Sequence, residues 1–200
     1  IIDGCRLSGA AFRIYPHKNV SQLESLLQRS SMYRRKLVVT DSVFSMDGDT
    51  APLPEIVTIA KRYDAILMVD DAHATGVFGK QGKGMIEHCG LEGKIDIVMG
   101  SLSKAVGSIG GFIAGSKPLI DFLKNKARPF IYTTALPPAV CAASMAGLTL
   151  IQEDVSLIDT LWKNIAFLKS RLSTFMDTIA GESPIVPLIV GSAEDAVNLS

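Results

Sequence analysis

Residues 65–69 form an uninterrupted apolar run, and two carboxylates, Asp70 and Asp71, stop it abruptly. Such a run is the mark of a strand covered on both faces, because a half-exposed strand alternates instead. Residues 36–40, 95–99 and 111–114 read the same way, each followed by polar or glycine-rich sequence. Helical patterns separate them: residues 52–63 with Pro54 near the first turn, residues 117–125, and residues 138–152. A longer one spans 155–176, with Leu157, Leu161, Ile165, Leu168, Leu172 and Phe175 at three-to-four spacing. Residues 130–133 and 185–190 read as further strands. Strands alternating with helices predict an α/β fold with a mostly parallel sheet covered by helices. A long helix, a turn and a fresh strand near Gly181 predict one large domain over residues 1–180. The start of a smaller C-terminal domain, incomplete here, then occupies 181–200.

Composition narrows the function classes. At 48% hydrophobic and 20% charged, the chain can bury a sizeable core and is not a disordered segment. Lys and Arg balance Asp and Glu at 20 each, and no basic stripe marks a nucleic-acid surface. Three cysteines without paired spacing suggest neither a disulfide framework nor a metal centre, which points to the cytoplasm. Asp3 and Arg6 interrupt the opening apolar residues, so no signal peptide is expected there. The chain opens without Met and without a helix-start signal, as though cut from something longer. Residues 135–151 are too short and too rich in small residues for a membrane span, and read as a buried helix.

In parallel sheets, ligands collect at the carboxyl ends of the strands. Three strand ends carry chemistry here: residues 41–49, residues 70–73 with Asp70, Asp71 and His73, and residues 100–104 with Ser101, Ser103 and Lys104. A magnesium-nucleotide reading of Asp70-Asp71 needs a GxxxxGK[ST] phosphate loop, and the sequence has none. Singly, His73 reads as a structural histidine and a lysine as a solvated charge. Lys104, however, follows an apolar strand inside a glycine- and serine-rich stretch without other charges. Desolvation there would favour the neutral amine that a Schiff-base lysine needs. Asp70, His73, Ser101 and Lys104 together supply what pyridoxal 5'-phosphate requires: an acid for its ring nitrogen, a contact for its ring oxygen, a hydroxyl for its phosphate and an amine.

Four segments carry a family resemblance: DSVFSMDGDTAPLPEI (41–56), VDDAHATGVFGKQGKG (69–84), GSLSKAVGSIGGF (100–112) and ARPFIYTTALPP (127–138). In that order they resemble the α-oxoamine synthases, pyridoxal-phosphate enzymes that join an amino acid to an acyl thioester, usually with loss of carbon dioxide. The resemblance implies a type I aminotransferase-like fold, a homodimer with shared active sites, and no nucleic-acid or membrane partner. It implies Lys104 as the lysine that carries the cofactor, Asp70 as partner of the pyridine nitrogen, and His73 as contact to the phenolic oxygen. Ser45 falls near the cofactor ring, Ser101 where a phosphate-binding hydroxyl stands, and Thr134 in the segment that reaches the neighbouring subunit's phosphate. The family's upstream glycine loop and distal substrate arginine have no counterpart in these 200 residues, so the fragment alone is expected to be inactive.

Within the family, residues 101–112 look closest to the biotin-pathway branch, the 8-amino-7-oxononanoate synthases, which condense L-alanine with pimeloyl-CoA or pimeloyl-ACP. Ala74 after His73 is instead similar to 2-amino-3-ketobutyrate CoA ligases; that branch, or another α-oxoamine synthase, is the alternative. A non-catalytic partner subunit is the alternative of a different class, against which Lys104 argues.

Overall fold

Alternation, rather than continuous burial, governs the first two strands of the sheet. The computed structural model describes residues 1–174 and 182–199. In strands β1 (Leu37–Asp41) and β2 (Ile66–Asp70), Val38, Thr40, Leu67 and Val69 are buried, whereas Leu37 and Ile66 are exposed. Across these two strands one face is therefore sealed and the other only partly covered, unlike the two-sided burial expected for residues 65–69. The sealing face belongs to helices α1 (Ile2–Leu7), α2 (Val20–Gln28) and α3 (Leu53–Arg62) only in part: α1 buries nothing. Helix α2 contributes Leu23 and Leu27, and α3 contributes Leu53, Ile56, Ile59 and Ala60. Each such aliphatic side chain stabilises the fold by about 1.5–3 kcal/mol when fully buried. Asn19 starts α2 by accepting the Gln22 N–H at 2.9 Å, and Pro54 sits in the first turn of α3, where its missing N–H costs nothing.

After β2 come the short helix α4 (Met85–His88), β3 (Ile97–Ser101) and β4 (Gly111–Gly115). The sheet order is β1-β2-β3-β4, with β1, β2 and β3 parallel and β4 antiparallel to β3. The parallel register puts the carboxyl ends of β1, β2 and β3 along one edge, with Asp41 beside Asp70 and Asp70 beside Met99. Helices α5 (Lys117–Lys126), α6 (Arg128–Ile131), α7 (Pro138–Glu153), α8 (Ser156–Leu172) and α9 (Ala193–Leu199) follow. Helix α8 docks through Trp162, whose Nε1 donates to the Val77 carbonyl at 3.0 Å and whose ring meets Phe78 edge-on at 5.1 Å. Among the described residues, no helix is long and apolar enough to cross a membrane.

Several expectations are corrected. Residues 130–133 are not a strand: α6 takes Phe130 and Ile131 and a turn follows, with Pro129 in the helix's first turn, where a fixed φ suits a helix. Residues 185–190 pair with no strand among the described residues, and Pro187 removes a ladder donor there. A helix does begin at Ile2 without a side-chain cap; Asp3 and Arg6 favour its two ends and pair at 3.3 Å. Helix α7 buries only Ser144, so the buried helix expected over 135–151 is largely exposed in this chain. The expected helix residues Phe175 and Met176, and the expected domain boundary at residue 181, lie outside the described residues.

Candidate active site

Each strand of the parallel trio ends in a tight reversal, and backbone bonds tie the three ends together. The Ser42 N–H donates to the Asp70 carbonyl at 2.8 Å, and the Asp71 N–H donates to the Met99 carbonyl at 2.7 Å. Beyond Asp70 the chain turns at once: the Ala72 N–H donates to Asp70 Oδ1 at 3.0 Å, and the Ala74 and Thr75 N–H groups donate to the Asp71 carbonyl. That turn lifts His73 out of the sheet beside Asp70. After β3, the Ser103 N–H donates to Ser101 Oγ at 3.1 Å, while Ser103 Oγ and the Gly110 backbone close the loop that carries Lys104.

Gly76 brings the two loops together. It has φ +77°, and a Cβ there would stand 2.8 Å from the Ala105 Cβ, closer than real side-chain carbons come. The loop bearing His73 and the loop bearing Lys104 thus meet at a residue only glycine can fill. Between them opens a cleft of about 310 Å³, lined by His73, Lys104, Ala72, Thr75 and, from the C-terminal segment, Pro184 and Ile185. That segment is anchored by Ser183, fully buried, whose Oγ donates to the Gly48 carbonyl at 2.7 Å.

The strand ends also bear on one another electrostatically. Burial pushes the Asp41 carboxyl up, the neighbouring Asp70 adds to the rise, and His73 and Lys104 oppose it. Burial lowers the His73 imidazole, Lys104 lowers it further, and Asp70 and Asp41 act in the opposite sense. Asp41, Asp70, His73 and Lys104 therefore feel one another. Asp71 points the other way. It is 1% exposed, its carboxylate accepts the Met85 N–H that opens α4, and burial raises it to about 6. The Ser42 hydroxyl, buried and without a hydrogen bond of ordinary geometry, lies beside that carboxyl and opposes the rise.

Of the residues singled out in the sequence, Asp70, His73 and Lys104 are brought together, with Ser101 at the base of the Lys104 loop. Lys104 is exposed in this chain, contrary to the desolvated setting expected for it. Ser45 is exposed in a turn and Thr134 is exposed between α6 and α7, and neither lines the cleft. Sequence reasoning did not single out Pro184 and Ile185 as cleft residues, or Asp41 as a neighbour of Asp70; only the strand register reveals the latter. His17, Asp47 and Asp49 lie close enough to share an ion, but Lys18 already pairs with Asp49 at 3.0 Å. The sheet-edge donors fit pyridoxal phosphate by their chemistry: a carboxylate for the ring nitrogen, an imidazole for the ring oxygen and an amine for the aldehyde carbon.

Comparison with known proteins identifies the family. The model of the family "Aminotransferase class I and II" matches residues 1–200. The 8-amino-7-oxononanoate synthase 1 of Bacillus subtilis (strain 168) is 50% identical over 192 residues, covering 96% of this chain and 49% of that protein. A serine palmitoyltransferase from S. paucimobilis, solved with a PLP–myriocin aldimine, superposes with TM-score 0.84 at 35% identity, covering 90% of this chain and 47% of the other. The 8-amino-7-oxononanoate synthase of Francisella tularensis gives TM-score 0.80 at 30% identity, over 99% of this chain and 58% of that one. The chain spans about half the length of the curated relatives it matches. With its type I α/β fold, its strand-end donor set and these similarities, the chain belongs to the class I and II aminotransferase family, in the pyridoxal-phosphate-dependent α-oxoamine synthase branch.

Proposed function

We propose that the full-length protein carrying this chain is an acyltransferase that condenses L-alanine with a pimeloyl thioester, as pimeloyl-CoA or pimeloyl-ACP, in biotin biosynthesis. The observation that carries this reading is the meeting of Asp70, His73 and Lys104 in one electrostatic cluster at the sheet edge. The names of relatives at about half identity supply the branch. In the reaction the amino acid loses its Cα proton, Cα bonds to the acyl carbonyl carbon, and the thiol leaves. The carboxyl then departs as carbon dioxide and a proton takes its place. Bound pyridoxal phosphate supplies the electron sink that stabilises negative charge at Cα.

The chain's own residues do the rest. Asp70 keeps a proton on the ring nitrogen by its negative charge, with Oδ1 held in place by the Ala72 N–H. His73, raised on the turn after β2, orients the ring through its oxygen. Lys104 Nζ binds the cofactor's aldehyde carbon and is the amine placed to move the Cα proton. Ser101 and Ser45 serve the phosphate and the ring, and Thr134 serves the phosphate of the neighbouring subunit in a homodimer. Residues 1–180 form the cofactor domain in this reading, and the cytoplasm is its compartment. Ala74, the feature shared with the ketobutyrate ligases, is fully buried and serves packing, so it favours neither branch.

Borohydride reduction of the full-length holoenzyme followed by peptide mapping tests the assignment. A pyridoxyl group on Lys104 is expected; a label on another lysine with Lys104 unmodified overturns it. Free thiol and carbon dioxide released together from L-alanine and a pimeloyl thioester, with no thiol released from glycine and acetyl-CoA, identify the synthase; thiol released from glycine and acetyl-CoA without carbon dioxide identifies the ligase.

A further inference from the structure

Asp41 is a half-buried carboxylate that the fold does not use. Among the described residues its side-chain oxygens accept no hydrogen bond; only its backbone carbonyl does, from Thr40 Oγ1 at 3.0 Å. Half-buried carboxylates are normally paired, because desolvation of an unpaired charge is unfavourable. Its position is fixed by the sheet: Asp41 and Asp70 are register partners on adjacent parallel strands, which run roughly 4.8 Å apart, and partnered positions face the same side. One Asp70 oxygen is already committed to the Ala72 N–H. The charged and titratable side chains that face Asp41 are Asp70 on β2, His73 on the turn after it, Lys104 on the loop after β3 and the Tyr15 phenol. Two carboxylates thus lie against an imidazole and an amine, with Asp41 the one whose duty the fold leaves open.

Building on the reading under "Proposed function", we propose that Asp41 is a positioning residue of the site, supplying beside Asp70 the second negative charge that holds His73 and a cationic cofactor ring at the sheet edge. It acts through Asp70 and His73, without touching the reacting atoms. A structural residue would matter for packing whatever its charge; here the charge itself matters, so glutamate substitutes and asparagine does not.

The experiment follows Asp41→Asn and Asp41→Glu in the full-length protein. In the cofactor-free state, the His73 imidazole resonance, assigned with His73→Gln, is titrated by NMR. Removing a nearby negative charge makes the imidazolium less favourable, so Asp41→Asn lowers the midpoint by about half a unit or more, while Asp41→Glu stays near wild type. In the holoenzyme, the pH midpoint of the cofactor's visible band falls by about one unit in Asp41→Asn, a tenfold change in proton affinity, and returns in Asp41→Glu. Both midpoints unchanged in a folded Asp41→Asn overturn the inference, even where the melting temperature drops. If the asparagine variant does not fold, Asp41→Ser carries the same titrations. A wild-type protein that binds pyridoxal phosphate at Lys104 while Asp41→Asn titrates normally sinks this inference alone. A wild-type protein that binds no cofactor sinks the functional reading together with it.

Discussion

Asp70 and Asp71 are neighbours in sequence with opposite duties, because successive residues at a strand end face opposite sides. Asp70 faces the cleft cluster and one of its oxygens takes a local N–H that an amide oxygen can also take. Asp70→Asn should therefore leave the urea midpoint nearly unchanged and lower turnover by about a hundredfold or more, on the scale of losing a proton-holding group. Turnover within a factor of about two would reassign Asp70 to the fold. Asp71 faces inward and caps α4. Its folded-state value of about 6 lies above the usual 3.8, so the native state holds the proton more tightly than the unfolded chain. That contribution is complete below about pH 4 and is lost as pH rises through 6, a swing of about 3 kcal/mol. Denaturant titrations of wild type and Asp71→Asn across pH 4–7 should show the wild type losing relative stability as pH rises. Parallel curves would mean that Asp71 is not held protonated.

Among the elements, the loops at the sheet edge are set by glycine rather than by hydrogen bonds alone. Gly76→Ala would add a Cβ against Ala105 at a φ that side chains avoid, which costs about 1–3 kcal/mol. The expected result is a lower denaturation midpoint together with weaker cofactor binding, because relief requires the Lys104 loop to move away from His73. A midpoint shift with unchanged affinity would show that the two loops are independent. The three parallel strand ends were legible from sequence, since a carboxylate or glycine after an apolar run marks an edge wherever it falls. Asp70, His73 and Lys104 came from that rule. The misread stretch at 130–133 shows its limit: β-branched and aromatic residues suit a strand, but without a partner strand and with Pro129 at the start, a short helix is the lower state. Asp71's inward role needed α4, a four-residue helix with no periodicity to read. Pro184 and Ile185 reach the cleft through a contact 135 residues long in sequence, which no local pattern encodes.

Along the described residues, apolar exposure is uneven. Strand β4 and helices α5 and α6 bury no residue, and Phe122, Phe130 and Tyr132 are largely exposed. A face of that kind needs a covering surface, which the rest of the full-length protein or the neighbouring subunit of the proposed homodimer supplies. If the neighbouring subunit's phosphate reaches Thr134, Thr134→Val should weaken cofactor binding by about ten- to a hundredfold, the worth of a hydrogen bond to a charged group. Mixing Thr134→Val subunits with Lys104→Ala subunits should restore activity, since one of the two shared sites then holds both residues. No recovery on mixing, with heterodimers present, would place Thr134 in its own subunit's site.

Ser183 gives the chain a clock. Its hydroxyl closes on the Gly48 carbonyl, and Glu182 hydrogen-bonds Thr50, so the turn holding Ser45 is completed from residues translated long afterwards. At about 5–20 residues per second, the ribosome needs on the order of ten seconds to supply the missing partner. Throughout that interval the Gly48 carbonyl has only water to bind, and the nascent chain offers proteases an open turn at the rim of its future cleft. Arrested nascent chains that end before Ser183 should be nicked within residues 43–50, and chains that have released Ser183 from the exit tunnel should resist.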